Sequence, residues 1–132
     1  MILIVEDDEH ISQMVAKLLP SKGYRTHIES NGAAALLAAH EHLPELIIMD
    51  MMMPILKGLS TIQALREDLH TAHIPIVVLS ARDDDRSLAE ALAAGANIYL
   101  CKPVNAQELL AVVNRLVTLR AAEEPVDVPD DD

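Results

Sequence analysis

Four short stretches of the chain are apolar without interruption: Ile2–Val5, Leu46–Met49, Ile76–Leu79 and Ile98–Cys101. Runs of this length that do not alternate with polar residues predict strands buried on both faces, as in a parallel sheet. A fifth stretch, Tyr24–Glu29, does alternate and predicts an edge strand. Between these runs the spacing becomes helical. Ile11, Met14, Val15, Leu18 and Leu19 fall at i, i+3, i+4, i+7 and i+8, and Leu109, Val112, Val113, Leu116 and Val117 repeat the pattern. Gly23 and Gly95 stand where helices should stop. Asn31 marks one helix start, and Asn105 followed by Glu108 resembles a capping box. Pro20 should kink or end the first helix. The helix before Gly95 is the weakest: Leu88 and Leu92 are its only large apolar residues, so little area holds it down and it should be among the more mobile parts.

Strand and helix thus alternate five times. Short parallel strands joined by helices give a doubly wound α/β sheet with helices on both faces. Strand order 2-1-3-4-5 is the common one at this length, with ligands at the carboxyl ends of the strands, near the switch between the first and third.

Composition narrows the picture. The chain has 132 residues, enough for one domain, and is 51% hydrophobic but only 2% aromatic, so Ile, Leu, Val, Ala and Met must fill the core. The formal charge is −11, and six of the 21 acids lie in the last ten residues. Setting those six aside leaves 15 acids against 10 bases, so the body is still acidic. Such a balance argues against direct nucleic-acid binding, which needs Lys and Arg for phosphate. Residues 1–120 are expected to form the domain. Residues 121–132, AAEEPVDVPDDD, should be a disordered acidic tail or part of a linker. No apolar run approaches membrane-spanning length, and MILIVEDDEH lacks the features of a signal peptide. A single cysteine, Cys101, rules out an internal disulfide. A cytoplasmic protein is the expectation. Cys101 is read as a buried strand residue, and the six histidines, with no compact metal pattern, as structural or surface residues.

Candidate chemistry gathers at the strand ends. Glu6, Asp7, Asp8 and Glu9 follow the first strand, and Asp50 ends the third. In the 2-1-3 order these ends are neighbours, so four or five carboxylates would converge. Like charges resist ionising together, and a hard cation such as Mg2+, which prefers oxygen ligands, resolves the conflict. The competing reading is an acidic turn that merely caps a helix. Lys102, before Pro103, could reach the same crevice, through a Lys-Pro bond that is a candidate for cis. Ser80 brings a hydroxyl to the same edge.

Four segments in order, ILIVEDD, DMMMPILKG, VVLSA and GANIYLCKP, resemble the receiver domains of two-component response regulators, over residues 1 to about 119. The resemblance implies a CheY-like, flavodoxin-like fold. It implies that Asp50 is the phospho-acceptor. Mg2+ would be held by Asp7 and Asp50, by Glu6 through water, and by the Met52 main-chain carbonyl. Asp8 matches a commonly acidic position beside the acid pair. Pro54 and Gly58 match the loop after the acceptor. Ser80 is the switch hydroxyl, Tyr99 the switch aromatic and Lys102 the phosphate-binding lysine. The donor would be the phosphohistidine of a sensor kinase or a histidine phosphotransfer protein. The signal would leave by the face formed by the fourth helix, fifth strand and fifth helix, toward a downstream protein or output domain. Phosphorylation-dependent dimerisation is left open. Met53 matches a buried hydrophobe, whereas Met51 and Met52 are expected at the kinase contact. An apolar Met52 cannot orient a hydrolytic water well and implies slow to moderate dephosphorylation. Asn97-Ile98 departs from the acidic pair of regulators that dimerise to bind DNA.

Three other readings stand beside this one. A degenerate receiver acting only through protein contact would be favoured by loss of an acid, Ser80 or Lys102, and none is lost. A flavodoxin-like cofactor binder needs a phosphate loop where this chain has Glu-Asp-Asp-Glu. An aspartate-nucleophile phosphatase usually carries a second acid where Met52 stands.

Overall fold

The computed structural model describes residues 1–20, 23–51, 57–81 and 84–123, with side chains up to residue 119. Its elements run β1 (Ile2–Val5), α1 (Glu9–Leu18), β2 (Thr26–Glu29), α2 (Gly32–His42), β3 (Leu46–Asp50), α3 (Gly58–Glu67), β4 (Ile76–Ser80), α4 (Asp85–Ala94), β5 (Ile98–Cys101) and α5 (Ala106–Glu123). The described strands form one sheet in the order β2-β1-β3-β4-β5, with every pair parallel. The expected doubly wound sheet is the observed one.

Strand alternation splits the core in two. Leu3, Val5, Ile47, Met49, Ile76 and Val78 face α2, α3 and α4, where they meet Ala35, Ala39, Ile62, Leu65 and Ala91. Ile2, Ile4, Leu46, Ile48, Val77 and Leu79 face α1 and α5, where they meet Val15, Leu19, Leu109 and Val113. Successive side chains on a strand point to opposite faces, so a continuous apolar run feeds both layers. Each fully buried Val, Leu or Ile contributes roughly 1.5–3 kcal/mol of transfer free energy. No helix among the described residues is long and apolar enough to cross a membrane.

Helix ends follow the local signals. Asp8 caps α1 by accepting from the backbone N–H of His10 and Ile11, and Asn31 caps α2 through Ala34 N–H. Asn105 accepts from Gln107 and Glu108 N–H at the start of α5. Helix α1 stops at Leu18, just before Pro20. Edge strand β2 begins at Thr26, two residues later than the alternation suggested. Helix α5 continues to Glu123, past the boundary expected at 120. Residues 124–132 lie outside the described residues.

Helix α4 is anchored differently from its sequence. Ala91 is its one buried residue, while Leu88 and Leu92 are 38% and 44% exposed. Its leucines face outward, and small alanines make the close contact with the sheet. The turn behind it is held by Arg66. That guanidinium donates to the carbonyls of Gly95, Ala72 and Ile74 and to Asn97 Oδ1, at 2.7–3.0 Å. Asn97 Oδ1 also accepts from Ile76 N–H. Asn97, where an acid might have stood, therefore joins α3, β4 and the α4–β5 turn. Gly95 has φ +124°, and a Cβ there would lie 2.6 Å from Arg66 Cγ.

Candidate functional site

Strands β1 and β3 pair with Val5 opposite Met49. The next residue on each chain is a carboxylate, so the register alone sets Glu6 beside Asp50. Both are buried, at 3% and 4% exposure. Asp7 is exposed, yet one carboxylate oxygen from each of Glu6, Asp7 and Asp50 lies within 4.8 Å of the others. Three acids converge rather than four or five. The capping alternative holds for Asp8, whose carboxylate serves α1, and Glu9 lies in that helix's first turn.

Lys102 reaches this group from the end of β5. Its backbone N–H donates to the Ser80 carbonyl at 2.7 Å, and the Lys102–Pro103 bond is cis. Its Nζ lies 2.9 Å from Glu6 Oε1 and 3.3 Å from Asp50 Oδ1. By angle neither Glu6 oxygen has a well-formed hydrogen bond, so the Lys102 contact is an ion pair. Burial, and next the adjacent Asp50, push the Glu6 carboxyl up to about 7 against the pull of Lys102. Burial opposes the Lys102 ammonium, but its contact with Glu6 and the charge of Asp50 prevail and hold its pKa above the ordinary lysine value. One cation among three carboxylates leaves negative charge uncompensated. A hard oxygen donor set with a buried, poorly satisfied carboxylate fits Mg2+, which takes one or two carboxylates and completes its shell with water and phosphate oxygens.

Ser80 ends β4 and is 1% exposed. Behind it lies a cavity of about 150 Å³, lined by Met51, Lys57, Leu59, Ser80, Ser87, Glu90 and Tyr99. Tyr99 is half-buried, so the hydroxyl and the ring share one void. Met51 is half-buried rather than exposed as expected, and packs on the core. The Met52 carbonyl, Met53 and Pro54 fall outside the described residues.

Gly58 packs closely against the end of β3. A Cβ there would stand 2.7 Å from Met51 Cα and 2.8 Å from Asp50 O. These are backbone atoms and cannot swing aside. Gly58→Ala is therefore expected to lower stability by roughly 1–3 kcal/mol and to displace the end of β3. A urea midpoint equal to that of wild type would contradict this.

Two expectations need correction. Cys101 is exposed, at the end of edge strand β5. The histidines do include a compact group: His40 and His70 both contact Asp68. Sequence spacing missed it because His40 comes from α2 and the other two from the turn after α3.

Comparison with known proteins agrees with this geometry. A family model described as the response regulator receiver domain matches residues 2–114. The DNA-binding response regulator MtrA of Mycobacterium tuberculosis is 34% identical over 127 residues, 96% of this chain and 54% of MtrA. The chain thus spans about half the length of that relative. The sensor histidine kinase TmoS of Ectopseudomonas mendocina is 36% identical over 121 residues, 92% of this chain and 12% of TmoS. Among solved structures, the Francisella response regulator 1452 receiver domain has TM-score 0.84 and 31% identity, covering 90% of this chain and 97% of that one. The receiver domain of the Pseudomonas aeruginosa sensor histidine kinase PA1611, which carries a magnesium ion in its active-site cleft, has TM-score 0.83 and 31% identity, covering 89% of this chain and 96% of that one. A match of the family model over residues 2–114, on a sheet of this order, places the chain in the receiver domain family of two-component response regulators.

Proposed function

We propose that Asp50 accepts a phosphoryl group from the phosphohistidine of a histidine kinase or phosphotransfer protein, in a Mg2+-dependent reaction. The observation that carries this reading is Asp50 itself, a buried carboxylate set beside Glu6 and capped by Lys102 within 3.3 Å. An Asp50 oxygen attacks phosphorus as the P–N bond to the donor imidazole breaks, and the imidazole leaves with the electron pair and takes up a proton. Transfer of this kind depends on positioning and on neutralising three phosphoryl oxygens more than on proton chemistry. Lys102 supplies a fixed positive charge, and the Ser80 hydroxyl and Ala81 N–H supply donors. Glu6, Asp7, Asp50 and the Met52 carbonyl would hold Mg2+, which adds charge neutralisation when bound.

The cavity behind Ser80 supports a switch. Ser80 turns to the phosphoryl oxygens, and Tyr99 follows into the void they share. The change is read on α4, β5 and α5, where Leu88 and Leu92 stand exposed for a partner or output domain. A local charge event thereby biases a two-state element. Residues 1–120 are the receiver unit in this reading, followed by an acidic tail or linker.

Intact-mass spectrometry after incubation with acetyl phosphate tests the proposal. A gain of one phosphoryl mass that requires Mg2+ is expected. No gain with acetyl phosphate or with any histidine kinase would favour a receiver that acts only by protein contact.

A further inference from the structure

We propose that His40, Asp68 and His70 form a second, separate metal site, for a borderline divalent ion of the zinc class. His40 Nδ1 lies 2.9 Å from Asp68 Oδ2, and His70 Nδ1 lies 3.2 Å from Asp68 Oδ1. The two rings stand edge to face with centroids 5.0 Å apart. One ligand atom from each residue falls within 4.8 Å of the others. A tetrahedral Zn2+ site has bonds of about 2.0–2.2 Å, which sets its ligand atoms roughly 3.3 Å apart. Each nitrogen is already near that edge length from one Asp68 oxygen, His40 from Oδ2 and His70 from Oδ1, so a single oxygen meets one edge and the rest close from within 4.8 Å. Binding exchanges the imidazole protons now shared with Asp68 for the ion, and leaves a fourth position to water.

The group is held before any ion arrives. Asp68 Oδ1 accepts from His70 N–H at 2.9 Å, and the Asp68 carbonyl accepts from Thr71 and Ala72 N–H. Buried Thr71 donates to the Leu65 carbonyl, and Arg66 ties Ala72 to the body of the fold. The hydrogen bond from His70 N–H, and then that from His40, hold the Asp68 carboxyl down at about 2. It is therefore an anion at any pH where imidazole binds metal. All three side chains are open to solvent, which gives an ion access.

Ligand chemistry separates the two sites. Imidazole suits Zn2+, Ni2+ and Cu2+, whereas an all-oxygen set suits Mg2+. Zn2+ titrated calorimetrically into the full chain in excess Mg2+ is expected to bind one ion per chain. Loss of a supporting residue alone costs about 10–100-fold in metal affinity. His40→Ala, His70→Ala and Asp68→Asn should each therefore weaken binding by at least about tenfold. Asp50→Asn should leave it unchanged. So should His27→Ala, which alters the other histidine pair, His27 and His42. Circular dichroism checks that each variant is folded. Zn2+ binding equal to wild type in the His40 and His70 variants, or lost on altering His27 or Asp50, would overturn the proposal. So would no binding at all, which would leave the cluster a hydrogen-bonded strut between α2 and the turn after α3.

Discussion

Asp50→Ala should show no phosphoryl gain under conditions that label wild type fully, and Asp50→Asn should at the same time fold more stably without Mg2+. The first effect follows from removal of the attacking oxygen. Neighbouring Glu6 cannot replace it, since its carboxyl is pushed up to about 7 and it is engaged by Lys102 at 2.9 Å. The second follows from like-charge repulsion above about pH 7, where Glu6 is ionised as well, because the amide keeps the shape of the side chain but removes one of two adjacent buried negative charges. Lys102 is then left to pair with Glu6 alone. The gain should be on the order of 1 kcal/mol, equivalent to about one pK unit, and should vanish in saturating Mg2+. A labelled Asp50→Ala protein would move the acceptor elsewhere. An Asp50→Asn protein less stable than wild type would mean that the carboxylate is better compensated than its surroundings indicate.

The pH dependence of stability should run against the usual behaviour of acidic side chains. Glu6 has a folded-state pKa of about 7 against an ordinary 4.5. Below pH 4.5 it is protonated in both states, and its favourable contribution is complete. Between pH 4.5 and about 7 the unfolded chain ionises while the folded state keeps its proton, so stability falls across that interval and levels off above it. A shift of this size corresponds to roughly 3 kcal/mol, lost between about pH 4.5 and 7. Mg2+ should restore much of it, and Glu6→Gln should flatten the profile. Asp68 acts in another window and with the opposite sign. Its depressed pKa contributes stability above the ordinary carboxylate value, and this is lost as pH falls through about 2. The chain has no tryptophan, so urea unfolding is best followed by helical circular dichroism. A level profile for wild type from pH 5 to 8, or an unchanged slope in Glu6→Gln, would rule this account out.

Local signals carried most of the fold. A four-residue apolar run between helical patterns reads as a buried parallel strand, and this held for β1, β3 and β4; β5 is parallel, but as an edge strand it is buried only at Leu100. Asp8, Asn31 and Asn105 act on N–H groups two or three residues away, so their capping was readable from neighbours alone. Glu6, Asp50, Ser80 and Lys102 were legible as a group because each stands at a strand end, and parallel strands bring those ends to one edge.

Orientation was decided only by the tertiary structure. Adjacent acids at 7 and 8 are alike in sequence, yet Asp7 faces the crevice and Asp8 turns to α1. Cys101 is exposed although its run is apolar, and Leu88 and Leu92 face solvent while Ala91 makes the close contact with the sheet. Arg66 and Asn97 are ordinary polar residues until folding brings three backbone carbonyls and the Asn97 side chain within reach of one guanidinium. His40 meets Asp68 across 28 positions of chain. Hydrophobic periodicity determines which residues are buried and in which element. The meeting of polar groups from different elements depends on how those elements pack, and no short-range pattern encodes it.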